Sequence, residues 1–143
     1  MKPRPHRRFT LGAAVLALLV AASGGAPAAE AACGAKATQS DLDACAGAEL
    51  KRADADLNAR YAELVARLGD DQKVKTKLVA AQRAWIGFRD AECALRAAGV
   101  EGGSAQPMVV ADCRAELTRK RADDLARLLS CEEGDLSCPV PPR

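Results

Sequence analysis

From Asp41 to Leu129 the apolar residues recur at every third or fourth position, in three runs separated by glycine-bearing breaks. That spacing puts each run on one face of an α-helix. In the first run, over Asp41–Leu68, the face is Leu50, Ala53, Leu57, Tyr61, Leu64 and Leu68. Ser40 with Asp43 three residues on reads as its capping box, and Gly69 followed by Asp70-Asp71 as a stop and a new start. The second run, Asp71–Ala98, carries Val74, Leu78, Ala81, Trp85, Phe88 and Leu95, with Glu92 interrupting the stripe and Gly99 expected as the C-cap. The third, Ala105–Leu129, carries Val110, Cys113, Leu117, Leu125 and Leu128. Ser104 is expected as its N-cap, and Pro107 falls in the first turn, where proline is tolerated. No alternating β-branched stretch competes with these helices. Short connections make consecutive helices antiparallel, so the expected fold is all-α: a small up-down-up three-helix bundle.

Before the helices comes a segment of another kind. Lys2, Arg4, Arg7 and Arg8 precede an apolar run from Leu11 to Ala22, and small residues follow through Ala32. This is the order of a secretory signal, and about a dozen apolar residues fall short of the roughly 20 a membrane span needs. Ala29-Glu30-Ala31 is the best cleavage site, which makes residues 1–31 the leader. Arg7-Arg8 fits an ordinary basic region better than a twin-arginine signal. Glu30, three places before Cys33, argues against a lipid anchor on that cysteine. With the leader go four of the 21 basic residues, one of the 19 acidic ones and the single histidine, His6. The remaining 17 basic and 18 acidic residues give a net charge of −1, and no positive field is left to favour nucleic acid. The mature chain of about 112 residues is one small domain in size, residues 32–129, followed by a Cys/Pro-rich tail, 130–143.

All six cysteines, Cys33, Cys45, Cys93, Cys113, Cys131 and Cys138, lie beyond the leader. An even number in an exported chain reads as disulfides, and with no histidine and no C-x-x-C pair, zinc and thioredoxin-like chemistry both fall away. Six cysteines allow 15 pairings. The expected one joins sequence neighbours: 33 with 45, 93 with 113, 131 with 138.

Hydrolytic mechanisms that rely on a neutral-range imidazole have no candidate group in the mature chain. A carboxylate pair needs a cleft that a slim bundle rarely encloses, and Gly102-Gly103 lacks the context of a phosphate loop. The reading is therefore of a non-catalytic protein without cofactor or metal. Two polar groups stand out. Asp54, Asn58 and Tyr61 share a side of the first helix, Gln82, Trp85, Arg89 and Asp90 cluster on the second, and Thr118 and Arg121 lie on the third. They are expected to tie the helices together, Arg89 and Arg121 pairing with acids such as Asp54 and Trp85 filling the core. Gly102-Gly103-Ser104 reads as a helix stop and cap, and also as a flexible hydroxyl-bearing tip that a partner protein accepts, with Arg96 beside it.

Asp54-x-Asp56-Leu57-Asn58-x-x-Tyr61, the run from Ala81-Gln82-Arg83-Ala84-Trp85 through Phe88-Arg89-Asp90-Ala91-Glu92-Cys93, Gly102-Gly103-Ser104, and Cys113 followed by Leu117-Thr118-x-x-Arg121 together resemble the LprI-like lysozyme-inhibitor domain. The resemblance spans about Cys33 to Leu128. It implies a helical protein of the bacterial envelope or its exterior, secreted or periplasmic, that inhibits lysozyme by covering its cleft. The alternative function is an envelope structural or adaptor protein that binds another protein or a wall polymer.

Overall fold

The structure, a computed structural model, describes residues 38–141. The leader and Cys33 lie outside the described residues. Three helices make up the domain: α1 (Gln39–Arg67), α2 (Gln72–Arg96) and α3 (Gln106–Leu129), with a 3₁₀ turn at Ala98–Val100 between the last two. None of them is long and apolar enough to cross a membrane.

α1 starts earlier than the Ser40–Asp43 reading placed it. Thr38 is the N-cap: its hydroxyl accepts the Asp41 N–H, and the Asp41 carboxylate takes the Thr38 N–H in return at 2.9 Å. Both orphan donors are satisfied two residues upstream of the expected box. At the other end the chain reverses through Gly69, whose φ of +51° is left-handed and suits a residue without Cβ. Asp71 caps α2 by accepting the Val74 N–H at 3.0 Å.

α2 runs antiparallel to its neighbours, so α1 and α3 are parallel: Gln39 meets Met108 at one end, and Arg67 donates to the Leu129 carbonyl at the other. These two helices pack along their lengths. α2 lies against α3, and its backbone hardly approaches α1. The main core is Leu57 and Leu64 from α1 and Leu68 at its C-cap, with Ala122, Leu125 and Leu129 from α3. A second cluster, Cys93, Cys113 and Leu117, surrounds the buried Cys93–Cys113 disulfide that joins α2 to α3.

The stripe expected on α2 is corrected. Ala81, Phe88 and Leu95 face solvent, with Phe88 57% and Leu95 71% exposed. The inward positions are Leu78, Gln82, Trp85, Arg89 and Cys93, which also step by three or four. The cystine fixes Cys93 inward, and helical geometry then carries residues 89, 85, 82 and 78 round with it. Two of those are polar, so a hydropathy pattern points at the neighbouring face. Trp85 correspondingly does not fill the core; it packs partly buried against the edge of the main cluster.

Beyond α3 the tail turns back on itself and a Cys131–Cys138 disulfide closes it. It is more than an appendage, because Val140 is buried in the main core. Arg67 holds it there, donating to the Pro141 carbonyl as well as to Leu129. Cys45 is also disulfide-bonded.

Candidate functional site

The polar residues of the helices converge on Arg89. Its Nη1 lies 3.4 Å from Asp54 and 3.3 Å from the Thr118 hydroxyl, and its Nε donates to Asp90 at 3.1 Å. The guanidinium also sits over the Trp85 ring, 5.1 Å from its centroid. Thr118 is fully buried, so its hydroxyl has a partner only because Arg89 reaches it. Arg114, not foreseen in this group, brings its Nε to 3.2 Å from the same Asp90 oxygen that Arg89 reaches. This hub links α1 to α2 where their backbones stand apart. Arg121 departs from expectation: it pairs with no acid among the described residues and instead donates from Nε to Gln82 Oε1 at 3.1 Å. Tyr61 packs against the core and Asn58 stays exposed, so the three residues expected to act together on α1 divide between different environments.

The Nε and Nη1 donors of Arg89 are answered within the fold, which supports a structural role for the hub, while the buried Arg114 Nε makes an ion pair but no hydrogen bond. Lysine at position 89 retains the charge and loses the fork that reaches Asp54, Asp90 and Thr118 together. Arg89→Lys is expected to lower stability by about 1–2 kcal/mol, read from urea unfolding.

The turn between α2 and α3 is built differently. α2 ends at Arg96 rather than Ala98, and Ala97 is buried at its base. Gly99 is not the left-handed cap; the chain passes through the 3₁₀ turn and the left-handed position falls at Gly102, φ +74°. The Gly102 N–H donates to Gln106 Oε1 at 2.8 Å, the Gly103 N–H to the Val100 carbonyl at 3.0 Å, and the Gln106 N–H to the Gly103 carbonyl at 3.1 Å. A Cβ at Gly103 would come within 3.1 Å of the Val100 oxygen. The tip expected to be flexible is thus a hydrogen-bonded turn. Gln106, overlooked in the sequence, is what holds its glycine.

Ser104 is not the N-cap of α3. That position is Ala105, and no side chain caps the helix. Ser104 is exposed and its hydroxyl makes no hydrogen bond within the described residues. Arg96, expected beside it, bonds Glu92 at 2.9 Å and Glu116 at 3.1 Å instead. Its guanidinium is already matched by two carboxylates. The tip therefore offers a serine hydroxyl and the uncapped first turn of α3, and no free cation from Arg96.

A broad concavity of about 640 Å³ runs along α3 below this turn, lined by Glu49, Arg96, Asp112, Glu116 and Arg119. Glu49 pairs with Arg52 and Arg119, and Glu116 with Arg96 and Lys120. The Lys120 ammonium, and then Arg96, hold the Glu116 carboxyl below its ordinary value, which makes it a poor proton donor at neutral pH.

Asp41 is held low too, by the hydroxyl and N–H of Thr38. Carboxyls lowered on folding add stability above their ordinary values near about 4, and the contribution disappears as pH falls through the folded values. No described residue is a histidine. Stability is therefore expected to be flat from about pH 5 to 7 and to decline below about pH 4. Thermal unfolding followed by circular dichroism across that range tests this.

Fold and surface together define a small, disulfide-bonded helical domain in which many polar side chains of the described residues pair with one another, and in which the α2–α3 tip is a braced turn with an unbonded serine hydroxyl. The model of the family described as lysozyme inhibitor LprI matches residues 29–125, so the chain belongs to that family. It is 44% identical over 107 residues to an uncharacterized protein of Rhizobium meliloti (strain 1021), covering 67% of this chain and 77% of that protein. Its fold is similar to the crystal structure of a DUF1311 family protein from Pseudomonas putida KT2440, at a TM-score of 0.59 and 27% identity. That likeness covers 63% of this chain and 92% of the other. The tail carrying Cys131 and Cys138 lies beyond the family match.

Proposed function

We propose that the protein is exported and binds a lysozyme-type cell-wall hydrolase, blocking its cleft through the α2–α3 turn without chemistry of its own. The observation that carries this reading is the braced tip, in a chain of the lysozyme inhibitor LprI family. Glycosidases of this kind hold two carboxyl groups across their cleft. A hydroxyl donor and the positive end of an uncapped helix are complementary to such acids. Pre-ordering of the turn by Gln106 and the Val100 carbonyl lowers the entropy lost on docking.

A lytic assay decides it. Increasing amounts of the purified protein are added to lysozyme acting on bacterial cell walls, and turbidity is followed. Saturable inhibition is the expected result; full lytic activity at micromolar excess rejects the reading. Cell-wall cleavage by the protein alone would reject its non-catalytic part.

A second reading, an envelope adaptor that binds another protein or a wall polymer, draws on a different observation. Ala84, Phe88, Ala91 and Leu95 form an exposed apolar strip on the outer face of α2. Under that reading, Phe88→Asp abolishes binding and Ser104→Ala leaves it intact.

A further inference from the structure

We propose that the pocket between the lower ends of the three helices and the tail binds a single-chain fatty carboxylate. Its volume is about 340 Å³, at the small end of ligand sites and suited to one alkyl chain. The walls are apolar: Leu64 from α1 and Leu68 at its C-cap, Leu78 from α2, Leu128 from α3 and Val140 from the tail. Only two charged residues line it, Lys77 and Arg121, and both are cations. Elsewhere on this surface basic groups are commonly matched by acids, as at Arg52, Arg60, Arg96, Lys120 and Arg127. Among the described residues neither Lys77 nor Arg121 has an ion pair. Gln82 holds the Arg121 Nε, which fixes the guanidinium without neutralising it.

An apolar slot with an uncompensated positive rim selects an apolar chain ending in an anion. The slot removes the chain from water, and the rim attracts a carboxylate while opposing a cationic head group. Part of the site's wall lies outside the segment that matches the family. Leu128, Pro139 and Val140 lie beyond the family match, and the Cys131–Cys138 disulfide closes the loop that sets the last two against the helices. The proposal does not depend on inhibition of a hydrolase.

Calorimetric titration of the purified protein with laurate, kept below its micelle concentration at low salt, tests it. Saturable 1:1 binding is expected, with Trp85, the single tryptophan, reporting the same transition by fluorescence because it packs on the adjoining core. Lys77→Glu, an exposed position, should weaken binding by about tenfold or more, and dodecyltrimethylammonium should bind more weakly than laurate by a similar factor. Ala81→Trp, at the exposed rim, should abolish saturation by closing the slot; circular dichroism verifies that both variants are folded. No saturable laurate binding overturns the proposal. So do equal affinity in folded Lys77→Glu, equal affinity for the cationic detergent, or association only with phosphatidylglycerol vesicles.

Discussion

Replacing Cys93 and Cys113 together with alanine is expected to cost about 3 kcal/mol and to lower the melting temperature by roughly 10–20 °C. The bridge spans 20 residues of sequence, including the whole α2–α3 turn, so its loss releases a sizeable loop in the unfolded chain. It also lies in the interior: Cys93 is fully buried, and the pair with Leu117 forms the second core cluster. Because Cys93 fixes the rotation of α2, the effect reaches beyond stability. Arg89 and Trp85 should lose their places with it, and the near-ultraviolet dichroism of the tryptophan should diminish. Paired urea and thermal unfolding of the double variant measure the first effect. A change in stability below about 1 kcal/mol would contradict the role given to this bridge. The Cys131–Cys138 loop spans 7 residues, and its removal is expected to cost less, about 2 kcal/mol.

Leu125→Ala should destabilise by about 2–5 kcal/mol, whereas Leu95→Ala should stay within about 0.5 kcal/mol of the parent. Both leucines sit on stripes that read as core in the sequence. Leu125 is fully buried in the same core cluster as Leu64 and Leu129, so truncation removes packed methyl groups and leaves a cavity. Leu95 projects from the outer face of α2 with 71% of its surface exposed, and truncation there removes little. Equal losses at the two positions in denaturant titrations would mean that α2 is rotated to bury the strip on which Phe88 and Leu95 lie.

The contrast marks where the sequence was legible. On α1 and α3 the inward face is almost wholly apolar, so periodicity located it: Leu57, Leu64, Leu117 and Leu125 are all buried. Glycine and aspartate placed the α1–α2 turn for a local reason, since Gly69 adopts a left-handed φ and Asp71 supplies the cap. On α2 the inward face includes Gln82 and Arg89, and its direction depends on Arg89 meeting Asp54, 35 residues away, and on Cys93 meeting Cys113. Such distant pairings leave no mark in a window of hydropathy. Ser104 misled for a related reason. Serine before a helix is a common cap, and only the actual start of α3, with Ala105 at the cap, frees its hydroxyl. Nor did the tail advertise Val140 as a core residue, because a lone valine between prolines has no periodicity to read. The Lys77–Arg121 rim likewise exists only once α2 and α3 are side by side.

Amide hydrogen exchange of the protein, free and in complex with a lysozyme, bears most directly on contact through the α2–α3 turn. Slowed exchange should be concentrated in residues 101–108, with the outer face of α2 unchanged. Protection confined to the Phe88–Leu95 strip, or no protection anywhere at saturating enzyme, would contradict it.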